Sequence, residues 1–328
     1  MEPLEKFNMN KLTHLNYKDI ILKHGYGILD SRSKADITVN IGNKIYNSPV
    51  CISNMPSIQN YDILKKFDEN HWFYVYHRFG NTLEFLQQIN DENWYCKSIS
   101  VGVKEKDIQL VKDIVDRNLQ LDAITLDVAF CYADHVKDMI KLLRKSFPNT
   151  YLIVGNASEP EVIPWLENLG VDCLKYNIGT SKNCRTRQYS GFGSTTVTGL
   201  IECINECATL DICADGGLTV QNDEVWIGDV MKSIALGSKF VMSASLFKQI
   251  KELQDELGYV TCSGNASSMV KQNEDHIEGV TLRIKGNDRN LLQQMKLISD
   301  SLRSSVSYSG FDCLDNARGR VKWNIVNE

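Results

Sequence analysis

The stretch "AITLDVAFCYADHVKDMIKLLRKSFPNTYLIVGNA", residues 123–157, contains two apolar runs on either side of an amphipathic segment. The runs "AITLDVA" and "TYLIVGN" are continuous and rich in β-branched residues, which is typical of strands buried on both faces of a parallel sheet. Between the runs, apolar residues recur at helical spacing: Val136, Met139, Ile140 and Leu143. Pro148 is expected to end this helix, because proline cannot donate a helical backbone hydrogen bond. The stretch therefore predicts a strand, a helix and a second, parallel strand.

The same alternation repeats along the chain. Segments of helical spacing separate eight apolar or aromatic runs, which are "SPVCIS", "WFYVYH", "WYCKSIS", "AITLDVA", "TYLIVGN", "DCLKYNIG", "LDICADG" and "KFVMSAS". Eight strand-helix units in 328 residues favour a closed (β/α)8 barrel, the TIM barrel, over an open doubly wound sheet. We therefore expect a single α/β catalytic domain over residues 1–328.

Composition and charge exclude several kinds of partner. The net charge of −5 gives no electrostatic reason to expect a nucleic acid or an acidic membrane surface. The sequence has no apolar run long enough to cross a bilayer, and its first residues lack the apolar core of a signal peptide. These features predict a cytoplasmic protein without membrane contact.

The strand ends indicate where to look for function, because catalytic groups of such barrels lie on the loops after the carboxyl ends of the strands. The residues at these positions are Asn54 and Met55, His77 and Arg78, Asp127, Asn156, the loop 179–197, Asp215 with Gly216 and Gly217, and Ser243 with Ala244 and Ser245.

Cys184 lies in the polar, glycine-containing stretch "NCRTRQYSGFG", residues 183–193. Other cysteines lie in apolar runs and are expected to be core residues, among them Cys51, Cys96, Cys173 and Cys213. Three cations are close to Cys184 in the sequence: Lys182, Arg185 and Arg187. Positive charge favours the thiolate over the thiol, so Cys184 is a candidate nucleophile, and the alternative is an idle surface cysteine.

The loop around this cysteine resembles a known family. "KYNIGTSKNCRTRQYSGFG" is similar to the catalytic loop of the IMP dehydrogenase and GMP reductase family. The resemblance covers nearly the whole chain, through "NYKDIILKHGYGILDSRSKADI", "CISNM", "LDVAFCYADHVKDMIKLLRKSFP", "IVGNA", "CADGGL" and "ALGSKFVM". "HIEGVTLRIKG" resembles the reductase segment around a catalytic glutamate, and the chain has no room for the regulatory insert common in the dehydrogenases.

The resemblance implies a reductive deamination of a guanine nucleotide. Cys184 would add to C2 of GMP, ammonia would leave, and hydride from NADPH would reduce the covalent thioimidate to release IMP. Thr186 and Glu278 would relay the proton. Two alternatives stay open, namely an IMP dehydrogenase-like reaction on a related purine nucleotide and an altered homologue that only binds a nucleotide. The resemblance does not decide between ribo- and deoxynucleotides, or between NADPH and NADH.

The resemblance also implies the binding residues. The nucleotide would be held by Ser181, Lys182, Asp215, Gly216, Gly217, Ala244, Ser245 and Gly279, and a flap over about residues 258–290 would cover it. The cofactor would be held by Arg78, Asp127 and Ala129. Gly179, Ser181 and Cys184 are candidate potassium ligands, and the expected assembly is a homotetramer.

Several positions depart from the family pattern inside this expected site. The departures are Thr180, Ser181 and Lys182 before the cysteine, Pro56 after "SNM", Phe130 and Cys131 after "LDVA", Ala244 and Ser245, and Asp275 in place of an arginine. They predict either an active enzyme with an altered nucleotide, in which Lys182 contacts the phosphate, or a decaying site. Activity is favoured because Cys184, Thr186 and Glu278 are all present.

Overall fold

The computed structural model describes residues 14–181, 184–271 and 277–326. Its strands are β1 (Ile20–Leu22), β2 (Val39–Ile41), β3 (Lys44–Tyr46), β4 (Val50–Ile52), β5 (Ser98–Val101), β6 (Ala123–Asp127), β7 (Tyr151–Ala157), β8 (Cys173–Tyr176), β9 (Asp211–Asp215), β10 (Val220–Gln221), β11 (Glu224–Val225), β12 (Phe240–Ser243), β13 (Tyr259–Ser263), β14 (Thr281–Lys285) and β15 (Trp323–Ile325). Its α-helices are α1 (Tyr61–Glu69), α2 (Thr82–Asp91), α3 (Glu105–Asp116), α4 (Asp134–Ser146), α5 (Val162–Asn168), α6 (Thr186–Ser190), α7 (Thr198–Glu206), α8 (Gly228–Leu236), α9 (Ser268–Lys271), α10 (Leu291–Ser309) and α11 (Leu314–Ala317). Short 3-10 helices cover Tyr17–Asp19, Arg32–Lys34 and Lys251–Leu253.

One curled parallel sheet of seven strands forms the centre of the α/β fold, in the order β4-β12-β9-β8-β7-β6-β5. Strands β6 and β8 are buried along their whole length, as expected for a parallel sheet with both faces covered. The predicted unit of two parallel strands around one helix is confirmed by β6, α4 and β7. The buried face of α4 is the predicted one (Val136, Met139, Ile140 and Leu143), and α4 ends at Ser146, before Pro148. Cys51, Cys96, Cys173 and Cys213 are buried, as predicted.

The predicted strand "WFYVYH" is not a regular strand in the structure. Tyr74 and Tyr76 make only single parallel bridges, to Ile52 of β4 and to Ile99 of β5. The physical reason lies in the Gln59 side chain. It donates to the Val75 carbonyl at 2.9 Å and accepts from the His77 amide at 3.2 Å, bonds that a neighbouring strand would otherwise make.

Small antiparallel ribbons accompany the sheet. Strands β2 and β3 form a hairpin before β4, and β10 and β11 form another after β9. Strand β1 pairs with β15 near the ends of the chain. Strands β13 and β14 pair from Tyr259–Lys285 to Ser263–Thr281 and lie within the predicted flap over about residues 258–290. This last ribbon follows β12 and brings a second segment to the end of the sheet where the candidate site lies.

Candidate active site

A cavity of about 580 Å³ lies at the carboxyl ends of the parallel strands. This volume is within the usual range for small-molecule sites. The cavity is lined by every catalytic or binding residue that the family resemblance implies and the structure describes: Arg78, Asp127, Ala129, Gly179, Ser181, Cys184, Thr186, Asp215, Gly216, Gly217, Ala244, Ser245, Glu278 and Gly279. Lys182 and Asp275 lie outside the described residues. The fold therefore assembles one site from the strand ends, while the role of each residue stays a prediction.

The loop after β8 is fixed at both ends. The Tyr176 hydroxyl donates to the Thr195 carbonyl at 2.6 Å, and the Ser194 amide donates to the Ile178 carbonyl at 3.0 Å. Gly179 has a φ of +74°, in the left-handed region where a Cβ is disfavoured. These contacts close the loop over the end of its own strand and hold Cys184 at the cavity.

Cys184 belongs to a chain of three polar groups. Its sulfur lies 3.1 Å from the Thr186 hydroxyl, and that hydroxyl donates to Oε2 of Glu278 at 2.6 Å. Because the single hydroxyl proton of Thr186 is used on Glu278, the Thr186 oxygen is left to accept the thiol proton of Cys184. The arrangement can therefore move a proton from the sulfur to the carboxylate.

Two of the cations near Cys184 in the sequence, Arg185 and Arg187, do not bond to its sulfur in the structure. The guanidinium of Arg185 points to the side chains of Gln188 and Tyr189, at 3.4 Å from each. Arg187 is exposed at the surface, and its stem packs against the loop glycines. The expectation that both arginines favour the thiolate is thus not supported by contacts, because the Arg185 guanidinium points to neutral groups of its own loop and Arg187 lies at the surface. The hydrogen-bonding partner of the sulfur in the described part of the chain is Thr186.

The flap segment joins the cysteine loop through backbone contacts. The Arg185 amide donates to the Glu278 carbonyl at 2.6 Å, and Cys184 forms an antiparallel bridge with Gly279. A Cβ on Gly279 would lie 2.7 Å from the Ser267 amide nitrogen, so a larger residue would break this close approach. The absence of a side chain at Gly279 thus lets its backbone pack against the turn at Ala266 and Ser267.

The end of β9 forms the other side of the cavity. Oδ2 of Asp215 accepts from the Asn156 amide at 3.0 Å, while the Asp215 carbonyl accepts from Asn177 at 3.0 Å. Gly216 and Gly217 have φ angles of +71° and +73°, which favour glycine. A Cβ would meet no heavy atom within 4 Å at Gly216, whereas at Gly217 it would lie 2.4 Å from Thr196. This turn therefore exposes backbone at the cavity.

A buried cation at the base of the cavity was missed by sequence reasoning. Lys175 of β8 pairs with Asp127 at 2.9 Å and with Asp215 at 3.1 Å. Burial acts to lower the pKa of Lys175, but the two carboxylates outweigh it and raise the pKa above its ordinary value. The signal in the sequence was a lysine inside the otherwise apolar run "DCLKYNIG". A charge in a fully buried strand requires partners, and these are provided by the neighbouring strands.

Arg78 and His77 differ in their positions. The Arg78 Nε lies 3.4 Å from Oδ2 of Asp127, and its guanidinium lies 4.4 Å above the Phe79 ring. Desolvation acts to raise the pKa of Asp127, but Lys175 and Arg78 outweigh it and hold the pKa below its ordinary value. His77 is not among the cavity-lining residues, and burial lowers its pKa to about 4. Of these two strand-end candidates, Arg78 alone faces the site.

Comparisons with known proteins agree with this arrangement. The sequence model of the IMP dehydrogenase / GMP reductase domain matches residues 15–326. GMP reductase of Staphylococcus carnosus is 34% identical over 325 residues, which cover 95% of this chain and 96% of that protein. GMP reductase of Helicobacter pylori strain G27 is 33% identical over 323 residues, again 95% of this chain and 96% of the relative. GMP reductase of Oceanobacillus iheyensis is 34% identical over 315 residues, 92% and 93% of the two chains. No helix within the described residues is both long and apolar enough to span a membrane.

Proposed function

The chain belongs to the IMP dehydrogenase / GMP reductase family, and we propose on that basis that it converts GMP to IMP and ammonia with NADPH as the reductant. The observation that carries the proposal is the contact chain from the Cys184 sulfur through the Thr186 hydroxyl to the Glu278 carboxylate. A binding protein without chemistry would have no need of a thiol, a hydroxyl and a carboxylate in this order at one cavity.

The first half-reaction is a deamination. The thiol proton of Cys184 passes through Thr186 to Glu278, and the resulting thiolate adds to C2 of the guanine ring. Glu278 then returns this proton through the same hydroxyl to the amine on C2, so that ammonia leaves and a thioimidate bound to Cys184 remains. The short contact of 2.6 Å between Thr186 and Glu278 supports this relay.

The second half-reaction is the reduction. NADPH, when bound, supplies a hydride to C2, after which Cys184 leaves as a thiolate and IMP is released. Arg78, Asp127 and Ala129 would hold this cofactor on their side of the cavity. They fit it chemically, since the Arg78 guanidinium at the cavity wall suits an anionic ligand and the Asp127 carboxylate can accept hydrogen bonds from ribose or amide groups.

The nucleotide would lie against the turn after β9 and the cysteine loop. Asp215 would accept hydrogen bonds from the ribose hydroxyls, and the turn at Gly216 and Gly217 would face the phosphate. The Gly217 amide would be the donor there, because the Gly216 amide already donates to the Met242 carbonyl at 2.8 Å. Ala244, Ser245 and Ser181 would complete the phosphate side, with Lys182 adding charge, and Gly279 would lie against the base. An anionic purine nucleotide fits this combination of backbone donors and one carboxylate.

Potassium has weaker support. Gly179, Ser181 and Cys184 lie close together in the sequence, but the Ser181 carbonyl already accepts the Cys184 amide at 3.0 Å. We assign potassium no part in the steps above, and its binding stays a prediction.

The same proposal includes the architecture and the cellular setting. We propose that one catalytic domain forms a closed eight-stranded barrel, supported by the bridges that link the segment of Tyr74 and Tyr76 to both edges of the sheet. The family resemblance favours a homotetramer. A cytoplasmic location follows from the proposed substrates, since GMP and NADPH are intracellular metabolites.

The decisive test is turnover by the purified protein with NADPH and a panel of purine nucleotides. We expect NADPH absorbance to fall and ammonia to appear in equal amounts with GMP, and not with AMP. Oxidation of IMP in the presence of NAD+ and water, without any reductive deamination of GMP, would instead identify a dehydrogenase. NADPH and NADH are compared in the same assay, as are GMP and dGMP.

A further inference from the structure

Lys175 connects the two sides of the cavity. Its ammonium lies 2.9 Å from Oδ1 of Asp127, 3.1 Å from Oδ2 of Asp215 and 3.0 Å from Oδ1 of Asn156. An ammonium has three N–H donors, and each therefore has an acceptor within hydrogen-bonding distance. The lysine side chain is 5% exposed and that of Asp127 is 8% exposed, so water replaces few of these contacts.

The topology of the sheet creates this cluster. The four residues come from the consecutive neighbours β6, β7, β8 and β9, whose carboxyl ends meet at one edge. Gly155 lies opposite Lys175 in the parallel register, and a Cβ there would lie 2.5 Å from the Lys175 Cβ. The missing side chain at Gly155 leaves the room that the lysine stem occupies.

The geometry points to Lys175 as a positioning residue, the shared counter-ion that holds Asp127 toward the cofactor and Asp215 toward the nucleotide ribose. The inference rests on the proposed function, because that function assigns the two carboxylates to different ligands. Each carboxylate uses one oxygen on the lysine. The other oxygen of Asp127 faces Arg78, and Oδ1 of Asp215 has no hydrogen-bonding partner among the described residues, which leaves it to the ribose.

Without the ammonium, two carboxylates would remain close together in a buried place. Burial and mutual repulsion both disfavour the charged form, so one carboxylate would take up a proton near neutral pH. The other charged or titratable groups near the cluster offer little compensation. Arg78 reaches only Asp127, while the thiols of Cys51 and Cys213 carry no positive charge and burial raises the pKa of each.

Removing the Lys175 ammonium should change the pH dependence of stability in one definite direction. In the parent protein the pKa of Asp127 is lowered, so its contribution to stability is lost as pH falls. In Lys175→Met one of the two carboxylates would have a raised pKa in the folded protein. The folded variant would therefore bind a proton that its unfolded chain does not bind in this pH range. The stability of the variant relative to the parent should therefore rise as pH falls from about 8 to about 5.5.

The experiment measures urea midpoints across this pH range, together with GMP and NADP+ affinities by calorimetry, on the full chain. Lys175→Met should lose about tenfold or more in affinity for both ligands, and its urea midpoint should approach that of the parent at acidic pH.

The matched control is Lys97→Met. That lysine is also buried and bonds to the Trp94 carbonyl at 2.7 Å, while the nearby Asp122 retains Lys44 at 2.8 Å. The control should keep both affinities and show no gain in relative stability at acidic pH.

A double variant keeps the inference testable if Lys175→Met does not fold at neutral pH. Lys175→Met with Asp127→Asn removes one of the two uncompensated carboxylates, so it should fold at neutral pH and regain part of the GMP affinity. A pH profile of Lys175→Met parallel to that of the parent, or a failure of single and double variants alike at every pH, would overturn the shared counter-ion. A parent protein that binds no GMP would overturn the proposed function, while the urea midpoints would still decide the role of Lys175.

Discussion

The hydroxyl of Thr186 donates a 2.6 Å hydrogen bond to the carboxylate of Glu278, although 92 residues separate the two in the sequence. The contact exists because the flap segment is bridged to the cysteine loop at Gly279. It gives the thiol a route to a carboxylate through one intervening hydroxyl. The proposed deamination depends on this route, whereas hydride transfer does not.

Glu278→Gln should separate the two half-reactions. The change preserves size and removes the group that takes up the proton, so ammonia release from GMP should fall by at least about a hundredfold. Hydride exchange between IMP and NADP+ should fall less and stay measurable, because it needs the Cys184 thiolate but no protonation of a leaving amine. The two rates are measured separately, with Glu256→Gln as a control for an exposed glutamate of the same part of the chain. An equal loss of both rates would make Glu278 a structural support.

Cys184→Ser should abolish turnover and leave GMP affinity within several-fold. A hydroxyl is far less ionised than a thiol near neutral pH, so it cannot replace the thiolate in the attack on C2. Steady-state rates and calorimetric affinities check this pair of outcomes. Cys313→Ser, at another partly exposed cysteine, should retain full activity. A rate of about a tenth of the parent in Cys184→Ser would exclude the covalent mechanism.

Gly217→Ala should destabilise the protein more than Gly216→Ala in urea unfolding. Both positions have similar positive φ angles, so the backbone strain is alike and on the order of 1 kcal/mol. A Cβ at Gly217 would in addition lie 2.4 Å from Thr196, which should add about 1–3 kcal/mol of overpacking. Gly216→Ala should instead weaken binding of GMP more than of guanosine, if the phosphate faces that backbone.

The strand pattern made much of the fold and the site predictable. Periodicity identified β6, α4 and β7, and placed Asp127 and Asp215 at strand ends, because local apolar spacing reflects which faces are buried. The pairing of Cys184 with Glu278 came from resemblance, since nothing in the local spacing of either residue indicates the other. Sequence reasoning thus located the cavity and much of its lining.

Other features depend on contacts between distant residues. Gln59 replaces strand hydrogen bonds at Val75 and His77, which apolar periodicity at "WFYVYH" cannot indicate. Arg185 is near Cys184 in the sequence, but its own helix turn directs its guanidinium to Tyr189. Lys175 was read as part of an apolar strand because its partners come from separate strands. Such features become visible only when side chains from several elements are placed together.

His77 should give the protein an acid-sensitive share of its stability. Its ring is 7% exposed, stacks on Tyr76 with ring centroids 4.4 Å apart, and accepts the Phe79 amide at Nδ1 at 3.3 Å. Burial lowers its pKa to about 4, against about 6.5 in an unfolded chain. Between these values the unfolded state binds a proton that the folded state does not, so stability is lost as pH falls through this window.

His77→Asn keeps an acceptor for the Phe79 amide and removes the titrating ring. The variant should be less stable at pH about 7, because it leaves space beside Tyr76. Its loss of stability between pH about 7 and about 5 should nevertheless be smaller than that of the parent by about 2 kcal/mol. Urea unfolding at the two pH values gives the difference, in which the carboxylate contributions common to both proteins cancel. His135→Asn, at an exposed histidine of α4, should keep the parent's pH dependence. If His77→Asn lost as much stability on acidification as the parent, the buried ring could not be the group that stays neutral in the folded state.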